Sequence, residues 1–528
     1  MPKKTDSIWV THLFDGGWAT EFGPTFYGSP NNTGELRMPF LQTAQNVYFE
    51  LDGGPHKVGG TTAFNATATG AADNITGLFD YWRMGTTYAS TQKRLAFSNG
   101  TLYADNGAGA FTSIKAGLAS AGVPAFSVFD DICVFSTDTV GEVPQSYNQT
   151  TEADLAGSPP AFSFSCKHKN KLWGAGVATL PSRLYYSIDN DPENWTGVGS
   201  GSIDIDPDDG DRIVGLISHK DNLWIFKGPY KGSIHRISGS SPTGADAFAR
   251  ITFIEGLTAV YHNAIFRFGD DVGFMSPWGT THSLNATAQY GDFIQSFLSL
   301  PIDSYVRNEI NLSRLKYAWA VNDPTRGRVL FSVPGAGQNN NNMILSMDYR
   351  FGITPPRWSR WPAFSFGSLA MMRNASGVSI MHGGDYIGKV WLMDQSTRSH
   401  NSASISMAVK TPALTYGNEL ITKTLEGVSL GIAPKNNNNI TFGWQADSNT
   451  EQTVSVNQDA GSGVLDTMEL DTDTLGVNQF VPRFSPLGET GGDGRSFTYQ
   501  ITDNINSSDC EVHNIGVKIT PTGESWEN

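Results

Sequence analysis

Short apolar stretches alternate with turns rich in Gly, Pro, Asn and Asp, and this pattern is densest between Leu172 and Gly239. Three stretches follow one another there, at 172–177, 183–188 and 221–227, and each is rich in β-branched or aromatic residues. They are too short for amphipathic helices and are typical of antiparallel strands joined by tight turns. The pattern therefore predicts an all-β protein.

A loose repeat of this strand–turn–strand unit extends over residues 75–398. Examples are 94–103, 126–135 and 328–333, and successive units lie roughly 35 to 60 residues apart, the spacing of four-stranded propeller blades. One small sheet cannot bury both of its faces, whereas radially stacked sheets can. We therefore predict a β-propeller core with six or seven blades over 75–398. A pair of stacked β-sandwiches is the alternative.

The segments on either side of the repeat are also predicted to be β-structure. Residues 1–74 are extended and rich in turns, which indicates an N-terminal β platform segment flanking the propeller. Residues 399–528 include the alternating stretches 495–501 and 512–519, which are typical of a half-buried antiparallel sheet. We expect a C-terminal β-sandwich-like or platform domain there.

Two interruptions of the strand pattern are distinctive. A small helical insertion is predicted near 291–311, since Phe293 and Phe297 share a helical face and Pro301 is placed where a helix tolerates it. The asparagine runs 339–342 and 436–439 are interpreted as flexible loop tips without an apolar anchor.

Composition narrows the possible functions. The 528 residues carry a net charge of -15, which argues against general affinity for nucleic acid because phosphate binding needs clustered cations. Cys133, Cys166 and Cys510 form neither a disulfide framework nor a metal-ligand spacing, so we interpret them as ordinary core thiols. The N-terminal sequence does not resemble a secretory signal, and no apolar run approaches the ~20 residues of a membrane helix.

The strongest acidic cluster comprises Asp204, Asp206, Asp208, Asp209 and Asp211. Carboxylates at alternate positions are typical of Ca²⁺ loops, but Gly210 is one place late for an EF-hand, and Gly215 stands where its bidentate Glu should be. We therefore predict an exposed acidic turn without a metal.

Ser187, Asp189 and Asp191, followed by Trp195, resemble the Asp-box of sialidase-type propellers, although the Asp-box glycine is missing. Such a box is structural and not catalytic. The chain has no Gly-x-Ser-x-Gly, phosphate-binding loop, His-Glu-x-x-His or dinucleotide fingerprint. We predict no enzymatic activity and no cofactor.

Several stretches resemble the tail nozzle (tail hub, or stabilisation) proteins of short-tailed bacteriophages. The clearest is Arg183-Leu-Tyr-Tyr-Ser-Ile-Asp-Asn-Asp-Pro-Glu-Asn-Trp195. The resemblance extends over most of residues 10–520, and its other patches are 208–216, 222–227, 234–239, 494–501 and 514–517.

The resemblance implies a propeller with a flanking β platform, assembled as a homohexameric ring below the portal–adaptor proteins. Such a virion protein would assemble in the host cytoplasm, contact tail fibres or tip proteins, and let DNA pass without specific binding. The acidic turn is then a candidate channel-facing loop, because like charge repels DNA. The alternatives are a host-receptor or carbohydrate-binding propeller of the tail, or a sialidase-like glycan hydrolase.

Overall fold

The structure, a computed structural model, consists almost entirely of short antiparallel strands, and the predicted all-β propeller fold is confirmed. The residues that it describes are 8–14, 16–21, 25–26, 35–38, 40–51, 53–70, 72–84, 91–285, 297–352, 356–374, 376–417, 419–433, 438–447, 449–458, 481–486, 492–506 and 508–522.

Seven short strands precede the propeller: β1 Ile8–Phe14, β2 Thr25–Phe26, β3 Glu35–Met38, β4 Thr43–Gln45, β5 Val47–Phe49, β6 Pro55–Lys57 and β7 Gly60–Ala63. Strands β5 and β6 form an antiparallel hairpin.

Within the described residues, seven blades follow along the chain, one of the two blade numbers expected from the repeat. Six of them are separate small sheets, and the strands of blade 6 belong to a larger sheet of 11 strands. Blade 1 contains β8 Ile75–Arg83, β9 Thr91–Ser98, β10 Thr101–Asp105 and β11 Phe111–Lys115, and blade 2 contains β12 Pro124–Phe129, β13 Ile132–Thr137, β14 Gln145–Tyr147 and β15 Glu152–Asp154. Blade 3 contains β16 Phe164–His168, β17 Lys171–Ala175, β18 Arg183–Tyr186 and β19 Gly201–Asp204. Blade 4 contains β20 Arg212–His219, β21 Asn222–Gly228, β22 Ser233–Ser238 and β23 Ala249–Glu255.

Three further blades complete the ring. Blade 5 contains β24 Ile265–Phe268, β25 Asp271–Met275 and β26 Thr281–Ser283, and blade 6 contains β27 Trp319–Asp323, β28 Arg328–Val333, β29 Met343–Asp348 and β30 Arg357–Trp361. Blade 7 contains β31 Ser368–Arg373, β32 Ser379–Gly384 and β33 Val390–Gln395. The first strand of each blade is innermost and lies beside the first strands of neighbouring blades. Gly215 in β20 illustrates the close approach, because a Cβ atom there would lie 2.3 Å from Cδ1 of Ile265 in β24 and would displace that side chain.

The outermost strand of blade 7 comes from the other end of the chain. Strand β7 pairs antiparallel with β33, with Ala63 opposite Trp391, and so joins the first and last parts of the propeller. This strand falls within the segment 1–74 that was predicted as platform. Its partner is more than three hundred residues away in sequence, and local pattern carries no information on such a pairing.

The C-terminal strands are β34 Ser399–His400, β35 Ala403–Ser404, β36 Met407–Lys410, β37 Ala413–Leu414, β38 Lys423–Ile432, β39 Asn439–Ala446, β40 Gln452–Asn457, β41 Val481–Pro486, β42 Asp493–Gly494, β43 Phe497–Asp503 and β44 Val512–Pro521. One sheet has the order β3-β1-β44-β38-β41, with β42 also on β38, and the other contains β37, β43, β36, β39 and β40. Their buried faces share one hydrophobic cluster, so they pack as a sandwich that includes N-terminal strands.

This sandwich is continuous with the propeller. Strand β4 pairs with β36 on one side and, through Gln45, with Arg360 of β30 in blade 6 on the other. Trp358 of β30 is 1% exposed, stacks on Phe331 and donates from Nε1 to the Leu298 carbonyl at 2.9 Å. Blade 6 thus serves both as a propeller blade and as the base of the platform.

Helices are few in the part of the chain that the structure describes. A helix α1, Asp303–Glu309, is flanked by the 3-10 turns Leu300–Ile302 and Leu312–Tyr317, in the region predicted as a helical insertion. The first half of that prediction, around Phe293, lies outside the described residues. No described helix is long and apolar enough to cross a membrane.

Candidate functional site

The acidic cluster lies in the connection from the outer strand β19 of blade 3 to the inner strand β20 of blade 4. Asp204 forms a two-pronged ion pair with Arg183, at 2.6 Å from Nε and 2.9 Å from Nη2. Asp206 binds Nη1 of Arg250, on the outer strand of blade 4, at 2.5 Å. These hydrogen bonds hold the pKa of both carboxyl groups below the ordinary value.

A buried lysine anchors the middle of the acidic connection. Lys227 in β21 is 0% exposed, and its Nζ donates to Oδ2 of Asp209 at 2.7 Å. The same ammonium group donates to the carbonyls of Ile205 and Asp206 at 2.7 and 2.8 Å. All three ammonium hydrogens are therefore satisfied by one loop.

Asp211 holds a turn of the next blade through backbone amides. It is 2% exposed, and its carboxylate accepts from the amides of Tyr230, Lys231 and Gly232 at 2.6, 3.0 and 2.8 Å. Among the five aspartates, Asp208 is exposed and is the one whose carboxylate takes no part in the ion pairs and backbone hydrogen bonds described above. The cluster is thus mainly an electrostatic joint between blades 3 and 4.

In the described part of the chain, no group of three or more His, Cys, Asp or Glu side chains is arranged to hold a metal ion. Asp204, Asp206 and Asp209 are instead paired with Arg183, Arg250 and Lys227, respectively.

The segment most similar to tail nozzle proteins, 183–195, builds the outer half of blade 3. Its strand buries Leu184, and the following turn is pinned by Trp195, whose Nε1 donates to the Pro192 carbonyl at 2.9 Å. Lys171 is almost fully buried and forms an ion pair of 3.1 Å with Asp189 of that turn. These residues therefore have structural roles, as expected for an Asp-box-like turn.

The inner strands of blades 1 to 6 enclose an axial cavity of about 520 Å³. Its wall includes Lys167, Arg267 and Cys166. Cys166 is only half-buried, so it is not the buried core thiol that the sequence predicted. None of the five clustered aspartates lines this cavity. A channel faced by them would have to be the lumen of an oligomer.

A second cavity, of about 180 Å³, opens on the face of the propeller where the inner strands begin, which we call the top face. It lies between blades 1, 2, 6 and 7, and we call it the amide cleft. Its lining residues are Asn74, Thr76, Ser120, Ala121, Gly122, Val123, Pro124, Arg314, Tyr317, Trp319, Asn339, Asn340, Asn341, Gly367 and Tyr386.

The amide cleft corrects the interpretation of the first asparagine run as an unanchored loop tip. Asn339 and Asn340 are exposed, but Asn341 is 2% exposed and donates from Nδ2 to the Tyr317 carbonyl at 2.8 Å. Its backbone amide donates to the Tyr386 hydroxyl at 2.6 Å. The asparagine run was therefore the part of the cleft that the sequence showed. A run of polar residues does not, however, indicate that one of them contacts a residue in another blade.

The junction between the N-terminal hairpin and the C-terminal strands contains a charged cluster that the sequence did not reveal. Both ring nitrogens of His56 face carboxylates: Asp509 at 2.7 Å, Glu50 at 3.0 Å and Glu511 at 3.8 Å. Arg398 also pairs with Asp509, at 2.7 Å. Burial acts to lower the pKa of His56, but the hydrogen bonds and charges of the carboxylates outweigh it and raise the pKa above its ordinary value.

Stability is therefore expected to depend on pH through His56. A raised folded-state pKa stabilises the protein fully below the ordinary value of 6.5, and this contribution is lost as pH rises through the folded-state pKa. Other buried histidines, such as His262 and His282, have lowered pKa values and give the opposite pH dependence. The His56 contribution is therefore measured by urea unfolding as the difference in free energy of unfolding between the parent and His56→Gln, and this difference should fall as pH rises through the range. His12→Gln is the opposite-sign comparison: burial lowers the pKa of His12 to about 3, so its protonation in the unfolded state makes stability rise with pH, and its replacement should remove a rise, not a fall. An unchanged slope in His56→Gln would contradict the assignment.

Comparison with known proteins finds no matching family model and no matching curated protein. Among solved structures, the crystal structure of Raptor from Chaetomium thermophilum has a TM-score of 0.41 and 11% identity, over 64% of this chain and 29% of that one. The structure of YCF48 bound to D1 peptide has a TM-score of 0.36 and 9% identity, over 64% of this chain and 97% of that one. This chain thus spans less than a third of the Raptor chain, and similarities this low carry no information on function.

Proposed function

We propose that this protein is a structural subunit of the tail of a short-tailed bacteriophage, forming a ring-shaped nozzle through which the genome is ejected. The observation that carries the proposal is the match between sequence patches and architecture. The patches that resemble nozzle proteins fall in blades 3 and 4 and in strands β43 and β44 of the sandwich. A propeller joined to a platform of flanking β segments is the architecture that the resemblance implies.

The charge of the chain constrains how such a ring is held together. Six copies at -15 each would carry -90, so subunits repel one another unless apolar and aromatic contacts hold them. Tyr230 and Trp278 are 81% and 43% exposed and are available as such anchors. The other four aspartates of the cluster form ion pairs or hydrogen bonds within the subunit. Asp208 is therefore the member of the cluster whose unpaired negative charge could face the lumen of the ring.

Electron microscopy of the purified protein, alone and mixed with the phage's portal–adaptor proteins, tests both parts of the proposal. We expect six-fold rings with an open axial channel, and light scattering should give six times the mass of one chain. In the ring, Asp208 should face the lumen. A chain that stays monomeric beside its adaptor would refute the nozzle, whereas rings with Asp208 on their outer surface would refute only the electrostatic role.

A further inference from the structure

The hairpin of β5 and β6 is held between the propeller and the sandwich. On the propeller side, Trp361 of blade 6 donates from Nε1 to the Val47 carbonyl at 2.7 Å. On the sandwich side, the Lys57 amide donates to the Cys510 carbonyl, just before β44, at 2.8 Å. The hairpin therefore links the two parts of the chain, and any change that frees its sandwich side loosens that link.

Three carboxylates surround His56 on the sandwich side of this hairpin. Its Nε2 lies 2.7 Å from Asp509, and its Nδ1 lies 3.0 Å from Glu50 and 3.8 Å from Glu511. Arg398 also binds Asp509, at 2.7 Å. We propose that these five side chains form a proton-operated latch, which holds the hairpin against the sandwich when His56 is protonated and opens locally when the proton leaves.

The proton decides which hydrogen bonds the imidazole can make. A protonated imidazole donates from both nitrogens, to Asp509 and to Glu50, whereas a neutral one has a single N–H. When that N–H points at Asp509, Nδ1 becomes an acceptor for the Tyr48 hydroxyl, which lies 2.7 Å away. Burial and the charge of Glu50 raise the pKa of Tyr48, so its hydroxyl keeps a hydrogen to donate. Glu50 then loses the imidazole as its donor.

The same proton balances the charge of the latch. The hydrogen bond from His56 lowers the pKa of Glu50. Burial acts to raise the pKa of Asp509, but hydrogen bonds from His56 and Arg398 outweigh burial and lower it. Both carboxylates therefore stay ionised at neutral pH. Once His56 is neutral, negative charge on the hairpin faces negative charge on the sandwich in a partly buried setting, where repulsion is stronger than in water.

Opening is expected to stay local, because other contacts of the hairpin do not depend on His56. Lys57 and Asp503 form a fully buried ion pair of 3.2 Å, and Val47 remains bonded to Trp361. Loss of the proton therefore loosens one side of the hairpin and leaves the propeller folded. The latch is independent of the nozzle proposal, since all of its contacts lie within one subunit and ring formation neither requires nor excludes it.

Hydrogen exchange of the full-length protein, measured by mass spectrometry between about pH 6 and pH 8.5, tests the latch. After correction for the intrinsic exchange rate, protection of residues 47–58 should fall as pH rises, whereas protection of β21 in blade 4 should not. The size of the fall follows from linkage. It should be roughly tenfold for each unit by which the pKa of His56 in the closed protein, measured by NMR, exceeds its ordinary value.

Three variants identify the group that titrates. His56→Gln should remove the pH dependence and give the low protection of the open latch at every pH. His513→Gln is the matched control: His513 lies 2.9 Å from Glu511 at the same junction, and its loss should leave the fall in protection in place. Glu50→Gln removes a repelling carboxylate from a side chain that is 34% exposed, so it should raise protection at high pH.

Four results would overturn the latch. The first is protection of residues 47–58 that does not change with pH in the parent. The second is a pH dependence that survives His56→Gln, which would assign the titration to another group. The third is an equal loss of protection in β21, which would indicate a change in global stability without local opening. The fourth, decisive if His56→Gln does not fold, is protection at high pH that Glu50→Gln leaves unchanged.

Discussion

Replacing Asp211 with alanine is expected to lower the free energy of unfolding by about 4 kcal/mol, because three backbone amides lose a charged acceptor. The buried carboxylate accepts from Tyr230, Lys231 and Gly232, in the turn between the second and third strands of blade 4. Gly232 is buried, so its amide in particular would lose its acceptor within the protein. Hydrogen exchange in the variant should become fastest in this turn.

The matched control for this prediction is Asp208→Ala, which removes the same charge from the same connection. Asp208 is exposed, so its loss should change the free energy of unfolding by about 0.5 kcal/mol or less. Urea unfolding and hydrogen exchange of the two variants decide the matter. Equal midpoints for both would show that Asp211 contributes net charge alone and does not hold the turn.

Strand periodicity was sufficient to predict the class of the fold and its repetition. Stretches such as 223–226 and 329–333 are short, apolar and bounded by turn residues, and those properties are local. Ring closure by β7 and the pairing of β4 with both β30 and β36 could not be predicted in this way. They depend on residues hundreds of positions apart, which only the three-dimensional packing brings together.

The candidate sites show the same division between local chemistry and distant partners. The acidic cluster was visible as a run of carboxylates, but its cations, Arg183, Lys227 and Arg250, lie in other strands. A carboxylate run without its partners is indistinguishable from an exposed turn. The amide cleft was harder to predict, because Thr76 stands in no motif and the asparagine run that contains Asn341 does not indicate which distant residues it contacts.

A buried arginine joins the last two blades. Arg328 of β28 has a side chain that is 2% exposed, and its Nε lies 3.1 Å from Oδ2 of Asp323, which is fully buried. Its Nη2 binds Asp394 of β33 in blade 7, and its guanidinium lies 5.0 Å from the centroid of the Trp361 ring. Strand β33, which carries Asp394, also pairs with the closing strand β7. The ion pair between Arg328 and Asp394 therefore lies beside the point where the ring closes.

Arg328→Met is expected to cost about 3 kcal/mol of unfolding free energy, because it leaves the buried Asp323 and Asp394 with only the partly exposed Arg326 as a cation. Arg326→Met is the control: its side chain is 42% exposed, and its 3.1 Å pair with Asp394 should contribute about 1 kcal/mol or less. Adding Asp323→Asn and Asp394→Asn to Arg328→Met should recover part of the loss, since the uncompensated charges disappear with the carboxylates. Urea unfolding measures all of these differences. An equal, small loss in the two arginine variants, or no recovery in the triple variant, would show that packing against Trp361 and not charge compensation makes Arg328 important.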